Sequence, residues 1–79
     1  MDKTAILKKY EQIVENYFHT KREYDKKGKT DNAVALALEY WSGCVHGADE
    51  MLKQLDPSFK DDAETIYLKH QMKYQGNKS

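Results

Sequence analysis

The segment "KKGKTDN", residues 26–32, decides the fold because it interrupts a helical pattern that otherwise runs through most of the chain. Gly28 can adopt the left-handed conformation that follows many helix C-termini, and either Thr30 or Asp31 can cap the N-terminus of a following helix. Lysines in the preceding turn suit the negative pole of a helix dipole. The segment therefore predicts a tight turn between two antiparallel helices.

The residues before this turn predict a first helix over about 4–27. Apolar side chains recur there with the helical period and form one stripe wide enough to face a core. The members of this stripe are Ile6, Leu7, Tyr10, Ile13, Val14, Tyr17, Phe18 and Tyr24.

The residues after the turn predict a second helix over about 32–55, which ends in "LDPSFKDD". Pro57 cannot continue a helix, and either Asp56 or Ser58, the latter with Asp61, can start another. A shorter third helix is expected over about 59–74, followed by a frayed tail from about residue 75. Its apolar face comprises Phe59, Ala63, Ile66, Tyr67, His70 and Tyr74. The 79 residues therefore predict one all-α domain, an antiparallel helical hairpin with a third helix.

The second helix carries two apolar faces. The main stripe, flanked by Ala37, Cys44 and Leu55, is expected to pack against helix 1 and comprises Val34, Leu38, Trp41, Val45, Ala48 and Leu52. The opposite face comprises Leu36, Tyr40, Gly43, Gly47 and Met51. Two apolar faces predict two neighbours, so helix 2 is expected to be the central element.

The two glycines of this second face need a physical reason. Each glycine inside a helix costs roughly 0.5–1 kcal/mol relative to alanine. Their spacing of four lets another backbone approach closely. Two coverings remain open: helix 3 folds back over the face, or a partner chain occupies it. If the partner is a second copy, two hairpins form a four-helix bundle. We expect the face to be a partner or homodimer interface.

The charge distribution supports an alternative function. Thirteen basic and thirteen acidic residues cancel, so no overall field favours nucleic acid. Residues 1–30 nevertheless carry eight basic and five acidic side chains, whereas residues 31–66 carry two and eight. The basic segment 21–29 is a candidate nucleic-acid contact of a small regulator, although Glu23 and Asp25 interrupt it. Its basic residues are Lys21, Arg22, Lys26, Lys27 and Lys29.

The sequence offers little for catalysis. Cys44 and His46 are two residues apart, which places them about 160° from each other on a helix, so they cannot act together as nucleophile and base. Cys44 is expected to be a buried small hydrophobe and His46 a surface or rim residue. Neither His19, His46 nor His70 lies at the spacing of a known helical metal motif. We expect no enzyme activity, no metal and no cofactor.

The remaining features concern location and partners. No apolar run has the length of a signal peptide core or a membrane span, so a cytoplasmic protein without a membrane partner is expected. In its short length and its Lys- and Tyr-rich helical composition, the chain resembles small proteins carried by bacteriophages and mobile elements. That resemblance implies an adaptor or an inhibitor of a host system. The expected function is protein–protein binding.

Overall fold

The computed structural model describes residues 2–76 and confirms the all-α prediction. It contains α1 (Lys3–Lys26), α2 (Asn32–Leu55) and α3 (Phe59–Gly76), and residues 2–76 include no strand. Each helix contacts both of the others. Helix α3 continues two residues past its predicted end, and the rest of the predicted tail, residues 77–79, lies outside the described residues.

The turn between α1 and α2 forms through the residues that the sequence singled out. Gly28 has a φ of 70°, and Lys29 follows with a φ of 63°. The Asp31 carboxylate accepts hydrogen bonds from the backbone N–H groups of Ala33 and Val34 at 3.0 and 3.1 Å. Of the two candidate caps, Asp31 is therefore the one used. Thr30 instead donates its hydroxyl to the Lys27 carbonyl at 2.9 Å.

A second short turn separates α2 from α3. The Asp56 carboxylate accepts a hydrogen bond from the Ser58 N–H at 2.9 Å, and the Asp56 carbonyl accepts one from the Phe59 N–H at 3.0 Å. Asp56, rather than Ser58, thus supplies the side chain that starts the third helix. Pro57 lies between Asp56 and Ser58, and α2 cannot continue through a proline.

The core lies where the three helices meet. Its buried side chains are Tyr10, Val14, Phe18, Val45, Leu52, Phe59, Ala63 and Tyr74. Helix α1 packs against both of its neighbours more extensively than these pack against each other. The expectation that helix 2 is the central element is therefore wrong, because α3 lies closer to α1 than to the second face of α2.

Gly28 provides a test of the turn. A Cβ added at Gly28 would meet no atom within 4 Å. Any loss of stability on substitution therefore comes from the positive φ of its backbone. Gly28→Ala should lower the free energy of unfolding by about 1 kcal/mol, and Gly28→Asn should lower it less because asparagine tolerates this conformation. Chemical denaturation measures both. Unchanged stability of Gly28→Ala would contradict this account of the turn.

Candidate functional site

The second face predicted for helix 2 is exposed in the folded chain. We call Leu36, Tyr40, Gly43, Gly47 and Met51 the outer face of α2. The side chains of Leu36, Tyr40 and Met51 are 67%, 64% and 64% exposed, and both glycines are exposed as well. The sequence left open whether helix 3 or a partner chain covers this face. Helix α3 does not cover it, because α3 packs on the other side of α2.

Within residues 2–76, no close contact requires glycine at position 43 or 47. A Cβ added at Gly43 or Gly47 would meet nothing within 4 Å, and neither glycine has a positive φ. Both lie inside a regular helix, where each costs roughly 0.5–1 kcal/mol relative to alanine. The two glycines therefore lower the stability of the fold, and no contact among the described residues offsets this loss.

Two residues that the sequence assigned to the inner side of α2 lie nearer its exposed side. Leu55 is 52% exposed, so it extends the apolar surface beyond Met51. Cys44 is half-buried rather than buried. A hydrogen bond between the Tyr40 and Cys44 side chains raises the pKa of the Tyr40 phenol. The Tyr40 ring meets Trp41 edge-on at a centroid distance of 5.1 Å.

One edge of the outer face is acidic. Glu39 and Glu50 are both exposed, and neither forms an ion pair with a residue among those described. On an ideal helix they lie about 20° apart. Further round α2, the Lys53 ammonium pairs with the Asp49 carboxylate at 2.7 Å, and the nearby Glu50 charge also helps to raise the pKa of Lys53.

An open cleft of about 350 Å³ lies between α2 and α3. Tyr10, Tyr17 and Tyr67 line it together with His46 and the Asp49–Lys53 pair. Burial, with a smaller contribution from the Asp49 charge, raises the pKa of Tyr10 to about 12. Burial also raises the pKa of Tyr67. These phenols stay protonated near neutral pH, so the cleft offers neutral hydrogen-bonding groups on apolar walls.

Two carboxylates and an imidazole meet between α1 and α3. The Nε2 atom of His70 lies 2.9 Å from a Glu11 oxygen and 3.9 Å from a Glu15 oxygen. Such groups are ligands that zinc accepts, and their ligand atoms lie within 4.8 Å of one another. However, the Lys69 ammonium already pairs with Glu11 at 2.6 Å. The cluster is accounted for by the Lys69–Glu11 ion pair and the His70–Glu11 hydrogen bond, which join α1 to α3.

Sequence reasoning missed this cluster. Its sequence signals are the spacing of four between Glu11 and Glu15, which places them on one side of α1, and the position of His70 on the predicted apolar face of helix 3. His70 comes from another helix, so its proximity depends on how α3 packs.

Three of the five basic residues of the segment 21–29 have carboxylate partners. Lys26 pairs with Glu23 at 3.8 Å, and Lys27 pairs with the cap residue Asp31 at 3.2 Å. Lys29 lies 4.0 Å from the Asp25 carboxylate.

The other two basic residues of the segment have different surroundings. The Lys21 ammonium lies over the rings of Tyr17 and Tyr74, 5.7 and 5.2 Å from their centroids. Arg22 lines a groove with His19, His70 and Lys73. The five residues predicted to contact nucleic acid thus do not form one continuous surface of unpaired charges.

Comparison with known proteins gives no family model that matches the sequence, and no curated protein or solved structure with significant similarity. Among the described helices, none combines the length and the apolar character that crossing a lipid bilayer requires.

The Glu11 ion pairs make stability depend on pH. Hydrogen bonds from Lys69 and then from His70 lower the pKa of Glu11, so its ionised form stabilises the folded state above the ordinary carboxyl pKa. This contribution is lost as the pH falls through the lowered value. Glu11→Gln should therefore cost up to about 1 kcal/mol at pH 7, and the cost should shrink under acidic conditions.

Thermal unfolding of the wild type and Glu11→Gln at neutral and acidic pH measures this effect. The matched control is Glu64→Gln, because Glu64 is exposed, forms no ion pair among the described residues and lies away from the outer face of α2. A pH-independent difference for Glu11→Gln would show that the ion pairs are not its cause.

Proposed function

We propose that this protein acts by binding another protein chain through the outer face of α2, as an adaptor or inhibitor. The observation that carries the proposal is the pair of exposed helical glycines beside exposed large apolar side chains. Glycine at Gly43 and Gly47 lowers the stability of the helix and contributes no contact within the chain. Close packing of another chain's backbone against these two positions would explain why both are glycine.

The sequence of side-chain sizes along the outer face of α2 suits packing against a partner helix. Packed helices lie about 8–10 Å apart, and residues without side chains at the crossing point allow the lower end of this range. Leu36 and Tyr40 precede the glycines, and Met51 follows them, so apolar side chains flank the point of closest approach. Tyrosine and methionine are enriched in protein interfaces.

The placement of the reactive side chains favours binding over catalysis. Cys44 lies one helical turn after Tyr40 beside the outer face, whereas His46 lines the cleft between α2 and α3. The two side chains therefore do not converge on a shared position, as a nucleophile and its base must. A small inhibitor also agrees with the resemblance to proteins of bacteriophages and mobile elements.

Nucleic-acid binding remains the alternative proposal, and it has less support. The Lys26, Lys27 and Lys29 ammonium groups each have a carboxylate partner. Any complex should therefore be weak and should weaken steeply as salt rises. A gel shift with random duplex across salt concentrations separates the two proposals, because a nanomolar complex at physiological salt would favour this alternative.

Photocrosslinking tests the binding proposal directly. A benzophenone side chain replacing Tyr40 should form covalent adducts with the bound protein in the native cell. The same group replacing Gln12, which is exposed on α1, should not form these adducts. Mass spectrometry identifies the products. Identical adducts from both positions would contradict a role for the outer face of α2.

The glycines make a separate prediction about stability. Gly43→Ala and Gly47→Ala should each raise the free energy of unfolding of the unbound chain by roughly 0.5–1 kcal/mol, because alanine favours the helix and its Cβ meets nothing. Denaturation at low protein concentration measures this gain. A loss of stability in both variants would show that the fold itself requires the glycines.

A further inference from the structure

We infer that the outer face of α2 binds a second copy of itself, with the two α2 helices antiparallel about a two-fold axis midway between Val45 and His46. This inference rests on the proposed function, since it names the chain that occupies the same face. It also fixes the orientation and the register of the contact.

The arrangement of side-chain sizes along α2 is symmetric. Leu36 and Leu55 are equidistant from the point midway between Val45 and His46, and Tyr40 and Met51 are equidistant from it as well. Gly43 and Gly47 lie between these pairs, on either side of the same point. The exposed apolar side chains are thus large toward both ends and absent near the centre.

An antiparallel copy brings these positions together in complementary pairs. Leu36 meets Leu55 of the second copy, Tyr40 meets Met51 of the second copy, and the glycines meet near the axis. Every contact occurs twice, as an isologous interface requires. At 1.5 Å per residue, the contact from Leu36 to Leu55 extends for about 28 Å. The glycines allow the closest approach at its middle.

The exposed apolar area is sufficient for a dimer. Leu36, Tyr40, Met51 and Leu55 are 67%, 64%, 64% and 52% exposed. Side chains of these sizes then leave on the order of 500 Å² accessible on each copy, so pairing covers roughly 1,000 Å² in total. That total meets the threshold of roughly 1,000 Å² for a specific interface and stays below the usual range of about 1,200–2,000 Å² before the glycine backbone is added.

The acidic edge opposes this pairing and provides a test of its register. A two-fold axis perpendicular to antiparallel helices brings the same edge of each copy together. Glu39 then lies within about one helical turn of Glu50 of the second copy. The two resulting like-charge pairs weaken the dimer. In a parallel pair the two glutamates would lie far apart.

Charge reversal at these positions distinguishes the arrangements. Glu39→Lys or Glu50→Lys alone should tighten the dimer roughly tenfold, because two repulsive pairs become attractive. The double variant should return the affinity toward that of the wild type, because lysine then faces lysine. Sedimentation velocity of the full chain over a concentration series measures these dissociation constants.

A steric variant tests the face itself. Gly43→Leu should abolish the dimer and leave the helical circular dichroism intact, since its Cβ meets nothing within the chain. Gly76→Leu is the matched control, because a Cβ at Gly76 also meets nothing within 4 Å, and it should leave the dimer unchanged.

Each result bears on a distinct part of the inference. A wild-type chain and charge variants that stay monomeric at 200 µM would overturn self-pairing, whereas foreign adducts from the crosslinker at position 40 would still support the proposed function. A dimer that tolerates Gly43→Leu would overturn the choice of face. A double charge variant that binds more tightly than both single variants would overturn the antiparallel register.

Discussion

The packing of Phe18 against α3 is the contact on which the exposed surface of the molecule depends. Phe18 is almost completely buried, and its ring lies 5.3 and 5.6 Å from the rings of Tyr67 and Tyr74. These contacts direct the buried face of α3 toward α1, while Leu68 and Met72 on α3 are exposed. Because α3 packs more extensively along α1 than against α2, it does not cover the far side of α2, and Leu36 and Tyr40 remain exposed.

Local chemistry made the helices predictable from the sequence. Gly28 and Asp31 end one helix and start the next through interactions that span only a few residues, and Pro57 does the same for the second turn. The helical period likewise identified the buried positions of α1, since Tyr10 and Phe18 belong to its predicted stripe. Such features depend on neighbours along the chain, so they can be recognised before the tertiary structure is known.

The site was less predictable because it depends on which helix lies beside which. The apolar pattern correctly placed Leu36 and Tyr40 on a second face of α2, but it could not tell whether α3 covers that face. Periodicity also could not show that His70 approaches Glu11 from another helix, or that Leu55 lies mostly in solvent. The periodicity of a sequence predicts the side of the helix on which a residue lies. Which other helix contacts that residue depends on tertiary packing.

The residues of α2 that would maximise its stability differ from those that would allow the proposed close packing of a partner. A chain of 79 residues has a net stability of only a few kcal/mol, so the roughly 1–2 kcal/mol lost at Gly43 and Gly47 is a large share of it. An exposed ion pair such as Lys27–Asp31 offsets less than that. Alanine at either glycine would strengthen the helix, yet its methyl group would hold an incoming helix away. The unbound chain is therefore less stable than its fold allows, and in the proposed complex a backbone packed against the glycines would recover the difference.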